Sequence, residues 1–321
     1  MRQADETGTE PPPSASDRLR HVIESRQFSR ELLDRLLARA SFLRDNPPGA
    51  GDRLDGRIMA TLFYEPSTRT RLSFETAMLR MGGQTISTDH AHVLAPGCEE
   101  SLEDTIRSTA YHVDVIVLRH YQEGAAQSAA AVSDVPVINA GDGRGQHPTQ
   151  ALLDVYTIGR ELGHIDGISI AMVGDLANSR HMHSLAHMLA MYDGVDIWFV
   201  AKPEVAMQPE IKDYLSDRGI RWWETTDLEE VLPEVDVLYQ TRIQKERLDD
   251  LEAYRRLAGG YRIDSDVMSR LRPGAILLHG LPRLNDIARE VDADPRAAYF
   301  RQARNGLDVR MALLEMVLAR R

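Results

Sequence analysis

The feature of this sequence that most restricts its fold is a repeated alternation of short apolar runs with amphipathic helical segments. The runs that predict buried strands are Ile58–Tyr64, Val113–Leu118, Val135–Asn139, Ile168–Val173, Val195–Val200, Val235–Tyr239 and Ala275–His279. The segments with helical periodicity are Phe28–Leu43, Ser67–Met81, Gln122–Val132, Thr149–Leu162, Ser184–Met191, Asp213–Arg218 and Ala303–Leu318. Strands separated by helices predict parallel sheets, because a parallel connection has to cross back over the sheet.

The clearest break in the alternation is Gly163–Gly167, which separates two series of strands and helices. We therefore predict an α/β fold with two doubly wound parallel-sheet domains and the site in the crevice between them. The predicted domains are 18–162 and 163–302, and we expect the last helix, 303–318, to pack on one of them, with the first domain as the candidate. Residues 1–17 are rich in Pro, Ser, Thr and Glu and predict a disordered leader.

Charge and cysteine content narrow the classes of function. The net charge of −11 gives no basic footprint, so we expect neither a nucleic acid nor a membrane as partner, and an anionic ligand requires a local basic pocket. The single cysteine, Cys98, cannot form an internal disulfide, which favours a reducing cytoplasm. No run of roughly eighteen apolar residues, the length that a spanning helix needs, occurs in the sequence.

The densest cluster of polar groups is Ser67-Thr68-Arg69-Thr70-Arg71, which follows a predicted strand and opens a predicted helix. Hydroxyls, guanidinium groups and the free N–H groups of a helix start are together suited to bind one dianion. The simpler interpretation is a helix cap, with Ser67 or Thr68 as N-cap and the arginines exposed.

Two further clusters in the first half also lie at the ends of strands, Arg119-His120 and Gln146–Gln150 with His147 and Gln150. Ligands of open α/β sheets bind outside the carboxyl ends of the strands, so the three clusters are expected to share one crevice. Each alone is weak, because a single histidine is more often a hydrogen-bonded structural residue than a catalyst.

The second half repeats this placement in Gly174–Arg180, in Tyr239–Arg247 and in His279–Arg283. Arg180 and Arg242 are each suited to hold a carboxylate by two hydrogen bonds, although a solvated charged turn is the alternative. Pro282 is a candidate for a cis peptide bond in a tight turn.

Two other enzyme classes fit less well. A dinucleotide-binding dehydrogenase is disfavoured because no G-x-G-x-x-G turn follows a strand. A metal site would need His181, His183 and His187, of which the last two share one helical face, but no carboxylate partner is evident there.

From Phe63 to the C-terminus, the order of these clusters resembles the aspartate/ornithine carbamoyltransferase family, and the second half resembles its aspartate branch. The resemblance implies carbamoyl transfer from carbamoyl phosphate to the amine of L-aspartate, as in pyrimidine biosynthesis. It implies that the catalytic residues are Arg69, Thr70, Arg119 and His147. It implies that carbamoyl phosphate is bound by Ser67, Thr68, Arg69, Thr70, Arg119, His147 and Gln150, and aspartate by Arg180, Arg242, Gln244, Leu281 and Pro282.

The same resemblance implies small-molecule substrates, no metal, no organic cofactor, and a homotrimer with shared active sites that closes its domains on binding. It leaves open whether a regulatory chain attaches. Two arginines suit a dicarboxylate, because a monocarboxylate amine such as ornithine would leave one of them unpaired.

The chain departs from the family in the loop 88–100, where a serine and a lysine normally reach the neighbouring active site. The positions that align with them are approximately Leu94 and Cys98, and the only candidate cations are His90 and His92. A second departure is Gly280, where the family usually has proline. Three readings remain: an aspartate carbamoyltransferase with an altered loop, a specialised transferase with another amine or donor, or a catalytically weak homologue that serves as a binding or assembly subunit.

Overall fold

The structure, a computed structural model, describes residues 19–47, 53–89, 100–244 and 260–318, together with Glu252 and Leu257. The predicted leader 1–17 and residues 90–99 of the loop 88–100 lie outside the described residues. In the part that is described, no helix is long and apolar enough to cross a membrane.

Two parallel sheets confirm the predicted fold class. The strands of the first are β1 (Ile58–Phe63), β2 (Gln84–Asp89), β3 (Val115–His120) and β4 (Val137–Asp142), in the order β2-β1-β3-β4. The strands of the second are β5 (Ser169–Val173), β6 (Asp196–Val200), β7 (Arg221–Thr225), β8 (Val237–Gln240) and β9 (Ile276–His279), in the order β7-β6-β5-β8-β9. The strand order reverses between β1 and β3 and again between β5 and β8, and each reversal opens a crevice at the carboxyl edge of its sheet.

Nine α-helices whose bounds lie within the described ranges flank these sheets. They are α1 (Arg30–Asp45), α2 (Thr68–Arg80), α3 (Leu102–Ala110), α4 (Ala125–Val132), α5 (Pro148–Leu162), α6 (Arg180–Leu189), α7 (Pro209–Asp217), α8 (Ser265–Arg270) and α9 (Tyr299–Leu318). Short 3-10 turns lie at Ser25–Gln27, Pro203–Val205 and Arg289–Ala293. The predicted N-cap of α1 is confirmed, because Ser29 Oγ accepts a hydrogen bond of 3.2 Å from the amide of Leu32.

Several predicted boundaries are wrong. Helix α6 begins at Arg180 and not at Ser184, so Arg180 belongs to the first helical turn. Helix α9 begins at Tyr299 and not at Ala303. Helices α3 and α8 and strands β2 and β7 were not predicted, and β7 has an exposed, irregular burial pattern that gives no strand periodicity.

The last helix returns to the first half of the chain. Helix α9 packs against α1, α2 and α5, as the prediction for 303–318 allowed. Its apolar residues join one continuous core that includes Leu33 of α1, Phe74 of α2 and Ile170 of β5. This packing brings the start of α9 beside the carboxyl end of β9. The domain limits 18–162 and 163–302 remain a prediction.

Candidate active site

The start of α2 presents hydroxyl groups at the crevice of the first sheet. Strand β1 ends at Phe63, and Ser67 is the N-cap residue of the helix that follows. Its side chain makes no capping bond and instead donates to Thr70 Oγ1 at 3.0 Å. Ser67 therefore has the N-cap position of the simpler interpretation but makes no side-chain capping bond, so N–H groups of the helix start remain available to an anion.

Two arginines from the two halves of the chain meet at a shared carboxylate. Arg119, at the end of β3, bonds through Nη2 to Glu65 and donates from Nη1 to Ala140 O at 3.1 Å. Arg180, at the start of α6, donates from Nη2 to Glu65 Oε1 at 2.9 Å and from Nη1 to Gly143 O at 2.8 Å. Burial alone would raise the pKa of Glu65, but the two guanidinium groups outweigh it and hold the pKa below its ordinary value.

A close backbone approach fixes Arg180. A Cβ atom on Gly141 would lie 2.9 Å from Arg180 Cζ, and Gly141 has φ of +114°. Any side chain at this position would displace the guanidinium group and strain the backbone. The backbone at the end of β4 therefore lies directly against the guanidinium group of Arg180 at the start of α6.

Arg69 and Arg242 bring two further positive charges to the crevice, one from each half of the chain. Burial, and then the positive charge of Arg242, lowers the pKa of Arg69. Nearby, the amide of Gln244 donates to Asp175 Oδ2 at 3.1 Å, and its side-chain Nε2 donates to Asn178 O at 2.9 Å. The two strand-end segments of the second sheet are thus tied to one another.

Beside them, the segment after β9 carries the predicted cis peptide, which is confirmed at Leu281-Pro282. The amide of Leu281 donates to His279 Nδ1 at 2.8 Å, and His279 Nε2 lies 2.5 Å from Asp286 Oδ2. A buried histidine and carboxylate thereby hold the backbone of this segment at the edge of the crevice.

One cavity of about 860 Å³ is lined by Arg69, Arg119, Arg180 and Arg242 together with His279, Leu281 and Pro282. Every predicted site residue lines it: Ser67, Thr68, Arg69, Thr70, Arg119, His147, Gln150, Arg180, Arg242, Gln244, Leu281 and Pro282. Among the described lining residues there are six arginines and one carboxylate, Glu65. This excess of positive charge, inside a chain of net charge −11, suits a ligand with several negative charges.

Comparisons with known proteins agree with this geometry. A family model described as aspartate/ornithine carbamoyltransferase, carbamoyl-P binding domain, matches residues 20–160, and its Asp/Orn binding domain matches residues 166–317. The chain belongs to the aspartate/ornithine carbamoyltransferase family.

Similar family members come from distant organisms. The chloroplastic aspartate carbamoyltransferase of Arabidopsis thaliana is 52% identical over 94% of this chain and 78% of that protein. The aspartate carbamoyltransferase catalytic subunit of Methanothrix thermoacetophila is 49% identical over 93% of this chain and 98% of that protein. Among solved structures, aspartate transcarbamoylase from Trypanosoma cruzi in complex with carbamoyl aspartate and phosphate is 40% identical, with a TM-score of 0.91 over 97% of this chain and 99% of that chain.

The histidines of this carbamoyltransferase family member occupy distinct environments. Burial, followed by the charges of Arg180 and Arg119, lowers the pKa of His147 well below its ordinary value, so this cavity-lining imidazole is neutral at pH 7. His120 is not among the lining residues and stacks on Tyr121 with ring centroids 4.3 Å apart. The predicted cluster Arg119-His120 therefore contributes only its arginine to the cavity.

The metal-site alternative finds no geometric support in the described residues. His183 Nε2 lies 2.7 Å from Leu176 O, and His187 packs edge-on against Tyr214. No group of three His, Cys, Asp or Glu residues there is placed to hold a metal ion. His181 lines the cavity with a buried Nε2 that lacks a hydrogen-bond partner.

Sequence reasoning missed several lining residues of this family member, among them Glu65, Arg144, His181, Gln302 and Arg310. Arg310 is buried in α9 and donates to Ser73 Oγ at 2.9 Å. A charged residue inside the apolar pattern of a helix, as at Arg310, was the available signal.

Proposed function

We propose that the chain transfers the carbamoyl group of carbamoyl phosphate to the amine of L-aspartate, giving N-carbamoylaspartate and phosphate. The observation that carries the proposal is the single cavity in which Arg69 and Arg119 of the first half face Arg180 and Arg242 of the second. One dianion and one dicarboxylate require this number of positive groups if both are bound in a desolvated site.

The first-half residues are assigned to carbamoyl phosphate. Ser67, Thr68, Arg69 and Thr70 bind its phosphate at the helix start, and Arg119, His147 and Gln150 bind its carbamoyl group. Because His147 is neutral, it acts as a hydrogen-bonding group and not as a cation.

The chemistry needs orientation and electrostatic stabilisation. The aspartate nitrogen forms a bond to the carbonyl carbon, whose oxygen gains negative charge beside Thr70, Arg119 and His147. The bond from this carbon to the phosphate oxygen then breaks, and the departing phosphate accepts the amine proton. No covalent bond to the protein is formed.

The second-half residues are assigned to aspartate. Arg180 binds its α-carboxylate, Arg242 and Gln244 bind its β-carboxylate, and the segment Leu281-Pro282 lies near its amine. Arg180 is paired with Glu65, whose Oε1 lies 2.9 Å from its Nη2. Aspartate therefore has to replace this partner, which couples its binding to a rearrangement at the crevice.

The roles of the two domains and the oligomeric state are part of the same proposal. Residues 18–162 form the carbamoyl-phosphate domain and residues 163–302 the aspartate domain.

The chains form a homotrimer. Three apolar residues that are more than half exposed support a subunit interface: Leu72 (52%) and Leu79 (59%) of α2, and Ile86 (55%) of β2. Cytoplasmic pyrimidine biosynthesis is the setting that we propose, although the Arabidopsis relative is chloroplastic.

The loop 88–100 favours one second candidate. With no lysine, arginine or serine from Thr88 to Glu100, the chain suits a specialised transferase that uses another amine or donor. An inactive binding subunit is less well supported, because both the phosphate-binding residues and the carboxylate arginines are present in one cavity.

The proposal is tested by measuring N-carbamoylaspartate formation by the purified protein, with a panel of amines that includes L-ornithine beside L-aspartate. Arg69→Ala is expected to lower turnover by about 100-fold or more, as for loss of a transition-state contact. Arg242→Ala is expected to raise KM for aspartate while the affinity for carbamoyl phosphate stays unchanged.

Arg221→Ala is the matched control, because Arg221 lies in β7 with its side chain 68% exposed, outside the cavity lining. It is expected to keep wild-type activity. Turnover with another amine and none with aspartate would transfer the assignment to the specialised transferase, and no turnover with any amine would reject carbamoyl transfer.

A further inference from the structure

A buried chain of hydrogen bonds runs from the end of β9 to the cavity. The backbone amide at the start of this chain determines which group is the donor in each of the bonds that follow. The backbone amide of His279, which can only donate, lies 2.9 Å from Gln302 Oε1. The carboxamide of Gln302 is therefore fixed with its oxygen toward His279 and its Nε2 on the other side.

The Nε2 group of Gln302 meets a buried carboxylate. It donates to Asp154 Oδ1 at 2.7 Å and to the hydroxyl of Tyr239 at 3.0 Å, and that hydroxyl donates to Asp154 Oδ2 at 2.9 Å. Asp154 and Tyr239 are both completely buried. Both oxygens of Asp154 consequently act as acceptors in this network.

Gln150 completes the chain. The group that faces Asp154 Oδ1 from Gln150 lies 2.8 Å away and has to be the donor, Nε2, because Oδ1 is an acceptor. The Nε2 branch of the Gln150 carboxamide is committed to Asp154, so the carbonyl oxygen is the branch left for the cavity that Gln150 lines.

We infer that Asp154 and Gln302 are positioning residues that fix the carbonyl oxygen of Gln150 toward the donor substrate and so select an acyl phosphate that carries an N–H2 group. The inference rests on the proposed function and adds to it the reason why a carbamoyl group is preferred to an acetyl group. A carbamoyl N–H2 donates to the Gln150 oxygen, whereas the methyl group of acetyl phosphate leaves that oxygen unpaired in a desolvated site.

Binding of three phosphates at pH 8 tests this inference without requiring turnover. Carbamoyl phosphate, acetyl phosphate and inorganic phosphate share the phosphate contacts and differ in the group that meets Gln150. The wild-type protein is expected to bind carbamoyl phosphate about tenfold or more tighter than acetyl phosphate, as a hydrogen bond at a buried acceptor implies. In Asp154→Ser the hydroxyl donates as well as accepts, so it no longer fixes which branch of the Gln150 carboxamide faces the cavity. The preference is therefore expected to fall to roughly threefold or less, while the affinity for inorganic phosphate stays unchanged.

Two other variants complete the set. Asp154→Asn is the conservative rescue, because its Oδ1 still accepts from Gln302 and Gln150 while its Nδ2 faces Tyr239, and it is expected to keep most of the preference. Gln150→Met, at a half-buried position, removes the selecting oxygen and is expected to lose the preference even if Asp154→Ser does not fold.

The outcomes separate the two levels of the argument. Retention of the wild-type preference in Asp154→Ser or in Gln150→Met would overturn the inference, as would a wild-type protein that binds carbamoyl and acetyl phosphate equally. A wild-type protein that binds none of the three phosphates would instead overturn the proposed function.

Discussion

At the scale of single residues, the burial of Asp154 has a cost that depends on pH. Burial raises the pKa of this carboxyl group to about 7, against hydrogen bonds from Gln302, Tyr239 and Gln150 that lower it. The unfolded chain ionises Asp154 near its ordinary value of 3.8, so between these values the folded state binds more protons. The contribution of Asp154 to the free energy of unfolding therefore decreases as the pH rises from about 4 to about 7.

Asp154→Asn removes this titration. Relative to the wild type, the variant is expected to gain stability as the pH rises from 5 to 8, by roughly 1 kcal/mol for each pH unit below 7. Unfolding midpoints measured at fixed protein concentration across this range check the expectation. A constant difference between the two proteins at all pH values would contradict it.

The site residues that sequence reasoning found share one property. Arg119 lies at the end of β3, and Arg242 and Leu281 lie two residues after β8 and β9, so the carboxyl edge of a parallel sheet predicts their position. Asp154 and Gln302 lie within the helices α5 and α9, and only the packing of α9 beside α5 brings them together. Pairing between distant segments leaves no local signal in the sequence, which is why the network was missed.

At the scale of elements, a buried ion pair anchors α9 to α1. Glu315 accepts from Arg39 Nε at 2.6 Å and from Arg53 Nη1 at 2.8 Å, and the side chains of Glu315 and Arg39 are only 9% and 7% exposed. Burial favours the neutral acid, but the two arginines outweigh it and lower the pKa of Glu315. This contribution to stability is present above the ordinary pKa of 4.5 and is lost as the pH falls through the lowered value.

Glu315→Gln leaves Arg39 as an uncompensated buried charge and is expected to reduce the free energy of unfolding by about 3 kcal/mol. Urea denaturation at pH 7 measures the loss. The matched control is Glu31→Gln in α1, because Glu31 pairs with Arg35 while its side chain is 82% exposed. The control is expected to change stability by less than about 1 kcal/mol, and an equal loss in both variants would show that burial does not decide the effect.

The strands that were predicted best from the sequence are those whose burial leaves a continuous run of mostly apolar residues. Strands β1 and β5 are almost wholly buried and were predicted within one residue of their bounds. Strand β7 is an edge strand in which Arg221 and Glu224 are exposed, so no run of apolar residues marks it. Helix starts were predicted less well, because the first turn of α6 carries the site residue Arg180 in place of an apolar residue.

At the scale of the whole molecule, the proposed trimer with shared sites makes a prediction that mixing subunits can test. Light scattering is expected to give a mass near three times the 36.1 kDa of one chain. Suppose that the loop 88–100 enters the active site of the neighbouring subunit. A subunit with residues 90–98 replaced by glycine and serine then has an intact site of its own but supplies no loop to its neighbour. An Arg69→Ala subunit supplies an intact loop but lacks the phosphate contact in its own site.

Each variant alone is then expected to be nearly inactive, and a refolded equal mixture is expected to recover about one quarter of wild-type turnover, because one in four pairings joins two intact contributions. The control mixture is Arg69→Ala with Arg180→Ala, whose defects lie in the same subunit's part of the site, so that no pairing restores it. Full activity of the loop variant alone would mean that the loop is dispensable, and recovery in the control mixture would contradict the assignment of Arg69 and Arg180 to one subunit. Recovery in the first mixture alone would place the loop in the neighbour's site although it carries no lysine.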